Sequence, residues 1–337
     1  MKSESANSFY NALLHWSKGG ARAKGGIQSL ISAQGLVKRY GRVVAVDGLD
    51  LDVKEGSITG LIGPNGAGKT TTIKIILGLL KPDGGSIKVF DQDPWDNPDL
   101  REFMGVVHEK AYFPSHQRVL DYLRRACRIF GVSEDRAGEV LQLVGLEDAF
   151  DRQIRALSAG MLQKFAVAHA IIHKPQLVLA DEMTANLDPQ ARSSLLDLMA
   201  NLNKTEKTTF LLSSHILPEL SRVCDSVTII NRGKVYAAGK LFELYEKYAA
   251  GVIRITLENP EKLAAEVQKL PYVETVNTDA RGISVRTSKG KEENLYEDAA
   301  KLAKKVEVKI LGIETGSASL EELYRLVVTN ENKEAQK

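Results

Sequence analysis

A glycine-rich segment constrains the fold of this chain more than any other feature. It reads Gly63-Pro64-Asn65-Gly66-Ala67-Gly68-Lys69-Thr70 and matches the pattern GxxxxGK[ST]. The apolar run 57–62 before it predicts a buried strand, and the run 69–80 after it predicts a helix that ends at turn residues 81–85. Strand, glycine loop and helix in this order are the context that a phosphate-binding loop requires. A glycine-rich turn before a structural helix is the alternative interpretation.

Phosphate chemistry explains the residue types in this loop. Glycines let the backbone adopt unusual dihedral angles, so the amides of residues 66–71, including Thr71, can point inward. The helix that follows adds partial positive charge at its N-terminus. Lys69 is expected to reach the β- and γ-phosphates of ATP, and the Thr70 hydroxyl to ligate Mg²⁺. The segment therefore predicts a nucleotide site with ATP and Mg²⁺ as cofactors.

A second apolar run ends in two carboxylates. Residues 177–180 read LVLA and precede Asp181 and Glu182. Asp181 is expected to hold Mg²⁺, and Glu182 to polarise the attacking water. Adjacent acids at a strand end are a weak signal alone, but after a phosphate loop they predict ATP hydrolysis.

Charge and composition exclude several classes of protein. The chain has 45 Lys and Arg against 43 Asp and Glu, a net charge of +2, and no basic stripe, so we expect no nucleic-acid partner. A membrane-spanning helix needs about 20 mostly apolar residues, and the run 73–80 is interrupted by Lys74. Cys127 and Cys224 form no CxxC pair and suit a reducing cytosol. We expect an intracellular protein that is not integral to a membrane.

The chain divides into four ranges. Residues 1–30 form a tail, either mobile or containing a short amphipathic helix through Phe9, Leu13 and Trp16. Residues 31–245 alternate buried strands with helices, which predicts an α/β domain with a parallel sheet. Residues 246–330 follow the order βαββαβ, which suggests a small α+β ferredoxin-like domain. Its last helix opens with Ser319 and Glu322 as a capping box, and residues 331–337 form a second tail.

Three further motifs narrow the interpretation. Leu157-Ser158-Ala159-Gly160-Met161 precedes a helical run, Asn186-Leu187-Asp188 follows Glu182, and His215 follows an apolar strand. With the phosphate loop and the acidic pair, they resemble the nucleotide-binding subunit of an ATP-binding-cassette (ABC) transporter over residues 31–240. The resemblance implies an ABC cassette of the P-loop NTPase fold, with a mixed sheet and a helical subdomain.

The resemblance also implies roles for individual residues. Tyr40 matches the aromatic that stacks on adenine, although a surface tyrosine in a turn is the alternative. Glu109 occupies the Q-loop position, where it can ligate Mg²⁺. Asp188 matches the D-loop, and His215 matches the switch histidine of the catalytic site, or is an ordinary histidine at a strand end. The signature loop, which closes over the γ-phosphate held by the opposite subunit, matches Ser158, Ala159, Gly160 and Met161, and Ser158 also suits a helix cap.

Four residues, in three motifs, depart from the family pattern. Glu109 stands where glutamine is usual, and its charge beside a polyphosphate weakens nucleotide binding without the metal. Ala159 and Met161 replace glycine and glutamine in the signature loop, and Met183 replaces the proline after Glu182. None of these changes removes a charge that the chemistry needs, so we expect an active ATPase.

Partners follow from the resemblance. The Gly-Met signature, Glu109 and the C-terminal run 319–324 resemble export-type cassettes, which pair with a second ATP-binding subunit, as a homodimer or heterodimer, and with separate integral membrane permease subunits. We expect a peripheral protein on the cytoplasmic face of the membrane, docked on the permease through the helical segment 101–156. Within this segment, the apolar residues of 111–114 and 119–123 either are exposed for a partner helix or pack within the subdomain. A soluble ABC ATPase without a transport role is the alternative function. The C-terminal domain could also serve for dimerisation or regulation.

Overall fold

The computed structural model of the protein describes residues 29–248, 252–279, 282–288, 290–315 and 320–334. The expected N-terminal helix through Phe9, Leu13 and Trp16 and the expected cap at Ser319 lie outside these ranges. The strands are β1 (Ser29–Tyr40), β2 (Val43–Lys54), β3 (Ile58–Ile62), β4 (Gly84–Val89), β5 (Met104–Val107), β6 (Leu177–Asp181), β7 (Thr209–Ser214), β8 (Ser226–Asn231), β9 (Lys234–Lys240), β10 (Val252–Leu257), β11 (Val273–Asp279), β12 (Gly282–Thr287) and β13 (Ile310–Thr315).

The helices fall between and around these strands. They are α1 (Lys69–Ile76), α2 (Val119–Phe130), α3 (Asp135–Leu143), α4 (Ala159–Ile171), α5 (Pro189–Glu206), α6 (Leu217–Leu220), α7 (Leu241–Tyr248), α8 (Pro260–Val267), α9 (Glu292–Lys305) and α10 (Leu320–Glu334). Helix α1 is shorter than the predicted 69–80, because Gly78 adopts φ +62° beside the carbonyl of Pro94 and turns the chain. None of the described helices combines the length and the apolar character that crossing a membrane requires.

A six-stranded sheet forms the centre of the cassette. Its order is β5-β6-β7-β3-β8-β9, and its neighbours run parallel except that β9 is antiparallel to β8. Every residue of β3 and β7 is buried, which explains their continuous apolar sequences. Because β6, β7 and β3 are neighbours, the residues that follow them meet at one edge of the sheet.

A second sheet holds the phosphate loop from the other side. Strands β2, β1 and β4 pair antiparallel in that order. The backbone carbonyl of Ala45 in β2 lies directly against Gly68. Together the two sheets give the mixed α/β cassette, so the predicted fold class is confirmed.

Helices α2, α3 and α4 form the helical subdomain. Val119, Leu123, Val140 and Phe165 are fully buried in one shared core. Of the two alternatives for the run 119–123, packing within the subdomain holds for Val119 and Leu123, because they occupy the inner face of an amphipathic helix. Tyr112, by contrast, is 87% exposed.

The C-terminal region forms a four-stranded antiparallel sheet. Its order is β11-β12-β10-β13, with α8 and α9 as the two crossover helices. This order matches the βαββαβ ferredoxin-like unit. Ile253, Ile255, Val285 and Leu295 lie in a core made only of residues beyond position 252. The expected α+β ferredoxin-like fold is confirmed.

Helix α10 returns to the cassette. Leu323 and Val327 are fully buried in the same core as Leu220 and Leu244, which belong to α6 and α7. Leu326 packs with Val252 and Tyr245 in a small neighbouring cluster. The division of the chain at residue 245 stays a prediction; that position lies inside α7.

The packing of α10 predicts a stability effect at Leu323. Replacing this side chain by alanine removes buried methyl groups and leaves a cavity between α10 and the cassette, so Leu323→Ala is expected to cost about 2–5 kcal/mol of unfolding free energy. Urea denaturation measures it. Leu311→Ala serves as control because Leu311 is 57% exposed, and equal effects of both variants would contradict the packing.

Candidate active site

The glycine loop lies between β3 and α1. Gly66 and Gly68 have φ of +79° and +108°, a region that side-chain-bearing residues rarely adopt. A Cβ on Gly68 would lie 2.4 Å from the carbonyl oxygen of Ala45, and one on Gly63 would lie 2.2 Å from that of Ile230. The glycines are therefore required by backbone conformation and by close packing. The loop presents its amides at the start of α1, which suits an anion.

Lys69 is held almost completely inside this loop. Its side chain is 5% exposed, and Nζ donates to the carbonyl oxygens of Gly63 at 2.7 Å and Pro64 at 3.1 Å. Nζ also lies 2.8 Å from Oε1 of Glu182. The ammonium group thus stands between the phosphate loop and the acidic strand end, where it neutralises a nearly buried carboxylate.

Thr70 and Asp181 form a hydroxyl–carboxylate pair. Thr70 Oγ1 donates to Asp181 Oδ2 at 2.8 Å, and Ser213 Oγ donates to Asp181 Oδ1 at 2.6 Å. Asp181 and Ser213 are partners across the β6–β7 ladder. The role of Ser213 was missed by sequence reasoning, because its signal exists only once the register of the two strands is known.

Glu182 is the most constrained acid of the site. Its φ of +50° lies in the left-handed region, which costs of order 1–3 kcal/mol for a residue that is not glycine. Oε2 lies 2.6 Å from Nδ1 of His215, and the backbone amide donates to Ser213 Oγ at 3.1 Å. The carboxylate therefore connects Lys69 on one side with His215 on the other.

The predicted signature and D-loop residues meet on a different face. Ser158 caps α4 by accepting from the amide of Met161 at 3.3 Å, and Asp188 caps α5 by accepting from Ala191 at 2.9 Å. A Cβ on Gly160 would lie 3.2 Å from Ala191 Cβ, so the two loops are in close contact. They line an open groove of about 500 Å³ whose lining does not include Lys69, Asp181 or Glu182. The structure thus separates the predicted site residues into two groups.

Glu109 and Tyr40 lie at the margins of the first group. Glu109 Oε1 accepts from Asn186 Nδ2 at 3.2 Å, which ties the segment after β5 to the one after Glu182. Tyr40 is half-exposed at the end of β1 and pairs with Val43 of β2. Two residues further along β2, the carbonyl of Ala45 lies against Gly68 of the phosphate loop. Both positions are compatible with their predicted roles, which remain predictions.

A groove lies where the helical subdomain meets the central sheet. It encloses about 490 Å³, is lined largely by apolar and aromatic side chains, and includes Tyr112, Tyr122 and Phe130. Arg101 lines it and is held by the carbonyls of Leu77 and Gly78 at 2.8 and 2.9 Å. The lining contains no carboxylate.

Two of the histidines that line this groove pack against aromatic rings. His173 stacks on Phe130 with ring centroids 4.4 Å apart, and His169 lies against Phe113 at 5.7 Å. Burial lowers the pKa of both imidazoles below the ordinary histidine value, so they are neutral near pH 7. Arg101 therefore supplies the fixed positive charge of the lining.

The loop geometry predicts different costs for two glycine substitutions. Gly66→Ala meets no atom within 4 Å and is expected to cost about 1–2 kcal/mol for its left-handed backbone. Gly68→Ala adds the overlap with Ala45, so its loss of stability is expected to be larger. Urea unfolding of both variants tests this order, and equal losses would show that the contact with Ala45 is unimportant.

Comparisons with known proteins point to one family. The profile of the ABC transporter family matches residues 46–185. The daunorubicin/doxorubicin resistance ATP-binding protein DrrA of Streptomyces peucetius is 36% identical over 258 residues, covering 74% of this chain and 78% of the relative. The Nod factor export ATP-binding protein I of Cupriavidus metallidurans is 37% identical over 223 residues, covering 65% and 73%. A solved ATP-binding subunit of an ABC transporter superimposes with a TM-score of 0.59 at 32% identity, covering 65% of this chain and 93% of that structure.

Proposed function

Since the chain belongs to the family of ABC transporter ATP-binding proteins, we propose that it powers export through a membrane by closing, together with a second cassette, on two molecules of ATP·Mg²⁺. The chain is an ATPase of this family, and its catalysis is coupled to transport. The observation that carries the proposal is Glu182, held between Lys69 and His215 beside the Thr70–Asp181 pair. Export is favoured because relatives are named for drug resistance and for Nod factor export.

The residues present fit a magnesium ion bound with nucleotide. Thr70 Oγ1 and Asp181 Oδ2 are hard oxygen ligands 2.8 Å apart, and Mg²⁺ commonly takes one or two protein oxygens with substrate phosphates and water. Thr70 and Asp181 would hold the ion, with Glu109 near by, and the ion would neutralise charge on the β- and γ-phosphates. Ser213 keeps the Asp181 carboxylate oriented.

Hydrolysis requires that the two groups of site residues meet. Lys69 and the loop amides bind the phosphates, and Glu182 orients and accepts a proton from the attacking water, with His215 fixing the carboxylate. Ser158, Gly160 and Asp188 lie on the other face of the chain, so they serve the ATP held by the second cassette. ATP thus joins two cassettes, and its hydrolysis releases them.

The groove at the helical subdomain is the proposed dock for a permease subunit. Its aromatic lining suits the apolar face of a short cytoplasmic helix. The lining includes Arg101 and no carboxylate, which suits an acidic side chain on that helix. Tyr112 lines the groove and is 87% exposed, so it is the side chain that we propose to contact the permease helix. The protein is accordingly proposed to be peripheral on the cytoplasmic face of the membrane.

Co-purification tests this function. The chain is expressed together with a candidate permease, a multi-span membrane protein, extracted in detergent, and assayed for ATP hydrolysis. We expect a stable complex with wild type and a weakened one with Tyr112→Ser. Phe242→Ser is the matched control, because Phe242 is 67% exposed on α7 and lies outside the groove. ATP hydrolysis without any membrane complex would favour the soluble ABC ATPase instead.

A further inference from the structure

One arginine contacts both the predicted D-loop and the segment that follows the predicted switch histidine. Arg192 lies in the first turn of α5, directly after Asp188 caps that helix. Its Nε donates to the carbonyl oxygen of Leu187 at 2.6 Å. Its Nη1 donates to Oε1 of Glu219 on α6 at 3.2 Å.

These contacts are partly shielded from water. The side chains of Arg192 and Glu219 are 26% and 15% exposed, so the ion pair is screened less than a surface pair. Charge-assisted hydrogen bonds of this kind are about twice as strong as neutral ones. The planar guanidinium presents its donors in a fixed fork, so it fixes the carbonyl and the carboxylate relative to each other.

Helix α6 is tightly connected to His215. It begins two residues after the histidine, and the amide of Ile216 donates to Ser214 Oγ at 2.9 Å. His215 in turn contacts Glu182 at 2.6 Å. Arg192 and Glu219 therefore link Leu187 by hydrogen bonds to the segment that carries His215.

We propose that Arg192 is a positioning residue that fixes the D-loop and the switch-histidine segment relative to each other. The inference rests on the proposed function, because it assumes that the D-loop faces a second cassette. Closure of that interface moves Leu187 and Asp188, and Arg192 carries the movement to His215, so that Glu182 is oriented when the second cassette is in place.

The chain offers a matched control for this contact. Arg222, in the turn after α6, also reaches α5: its Nη1 donates to Ser193 Oγ at 2.8 Å and its Nη2 to Asp197 Oδ1 at 3.0 Å. These contacts of Arg222 also connect α5 with the α6 region, but they do not involve Leu187. Arg222→Gln therefore removes a cross-link of similar type while leaving the D-loop contact intact.

Steady-state kinetics give the first test. Arg192→Gln and Glu219→Gln are expected to lower kcat for ATP by roughly 2- to 30-fold, the range of measured coupling effects, with KM for ATP unchanged. The double variant should lose no more than the larger single loss, since both remove one contact. Arg222→Gln is expected to keep the wild-type kcat. Equal losses in Arg192→Gln and Arg222→Gln, or additive losses in the double variant, would overturn the proposal.

Hydrogen–deuterium exchange gives a second test that needs no catalysis. The amides of residues 216–220 are expected to exchange faster in Arg192→Gln than in Arg222→Gln or wild type. Unchanged exchange in this segment would contradict the inference even if the chain hydrolyses ATP. Failure of the membrane complex to form, with exchange altered as expected, would instead count against the proposed transport function alone.

Discussion

Lys69→Ala is expected to reduce ATP affinity by ~10- to 150-fold or more, the equivalent of one hydrogen-bonded contact to a charged group. The side chain of Lys69 is 5% exposed, and its ammonium is held inside the glycine loop by the carbonyl oxygens of Gly63 and Pro64. Isothermal titration with ATP and Mg²⁺ measures the change.

The control for this variant is Lys74→Ala on the same helix. Lys74 is exposed and lies beyond the loop contacts, so its removal is expected to leave affinity unchanged. Lys69→Ala also leaves the Glu182 carboxylate without its lysine partner. The double variant Lys69→Ala/Glu182→Gln removes that negative charge, so any loss of affinity that persists is due to the missing phosphate contact. Wild-type affinity in Lys69→Ala would contradict the assignment of the loop.

Glu182→Gln is expected to slow ATP hydrolysis by about 10²–10⁴-fold while ATP binding is kept. The amide preserves the shape of the side chain but cannot accept the proton of the attacking water. It also releases Lys69 from the 2.8 Å ion pair and removes repulsion toward the γ-phosphate, so the ATP-bound dimer should live longer. Phosphate release measures the first effect, and size-exclusion chromatography with ATP·Mg²⁺ measures the second.

Turnover at the wild-type rate with monomer elution would show that another group activates the water. Glu109 is then the first candidate, since its carboxylate accepts a hydrogen bond from Asn186 in the segment that follows Glu182. Glu109→Gln, which restores the usual Q-loop residue of the family, is the matched variant. We expect it to retain hydrolysis.

Local patterns in the sequence predict the phosphate loop and the ends of β6 and β7. Glycine spacing, two adjacent acids and a strand-end histidine each belong to one continuous segment, and the parallel sheet brings those segments to one edge. Ser213 and Arg192 were missed because their partners come from distant segments. Asp181 and Glu219 become neighbours of these residues only through strand register and helix packing.

The apolar residues of the helical subdomain show a different limit. A single amphipathic pattern does not tell whether its apolar face meets the protein's own core or a partner. Val119 and Leu123 proved to be buried, whereas Tyr112 remained exposed. The sequence likewise left open whether α10 packs on the cassette or within the C-terminal domain, since its leucines fit either position.

That return of α10 has a consequence for synthesis on the ribosome. The cassette emerges first and its sheet can form as soon as β9 is complete, but the apolar surface at Leu220 and Leu244 stays uncovered until α10 has been made. At roughly 5–20 residues per second, that interval lasts several seconds. During this interval, the nascent cassette exposes a hydrophobic surface that chaperones can bind. A polypeptide whose translation stops before α10 would keep this surface exposed and would be a substrate for degradation.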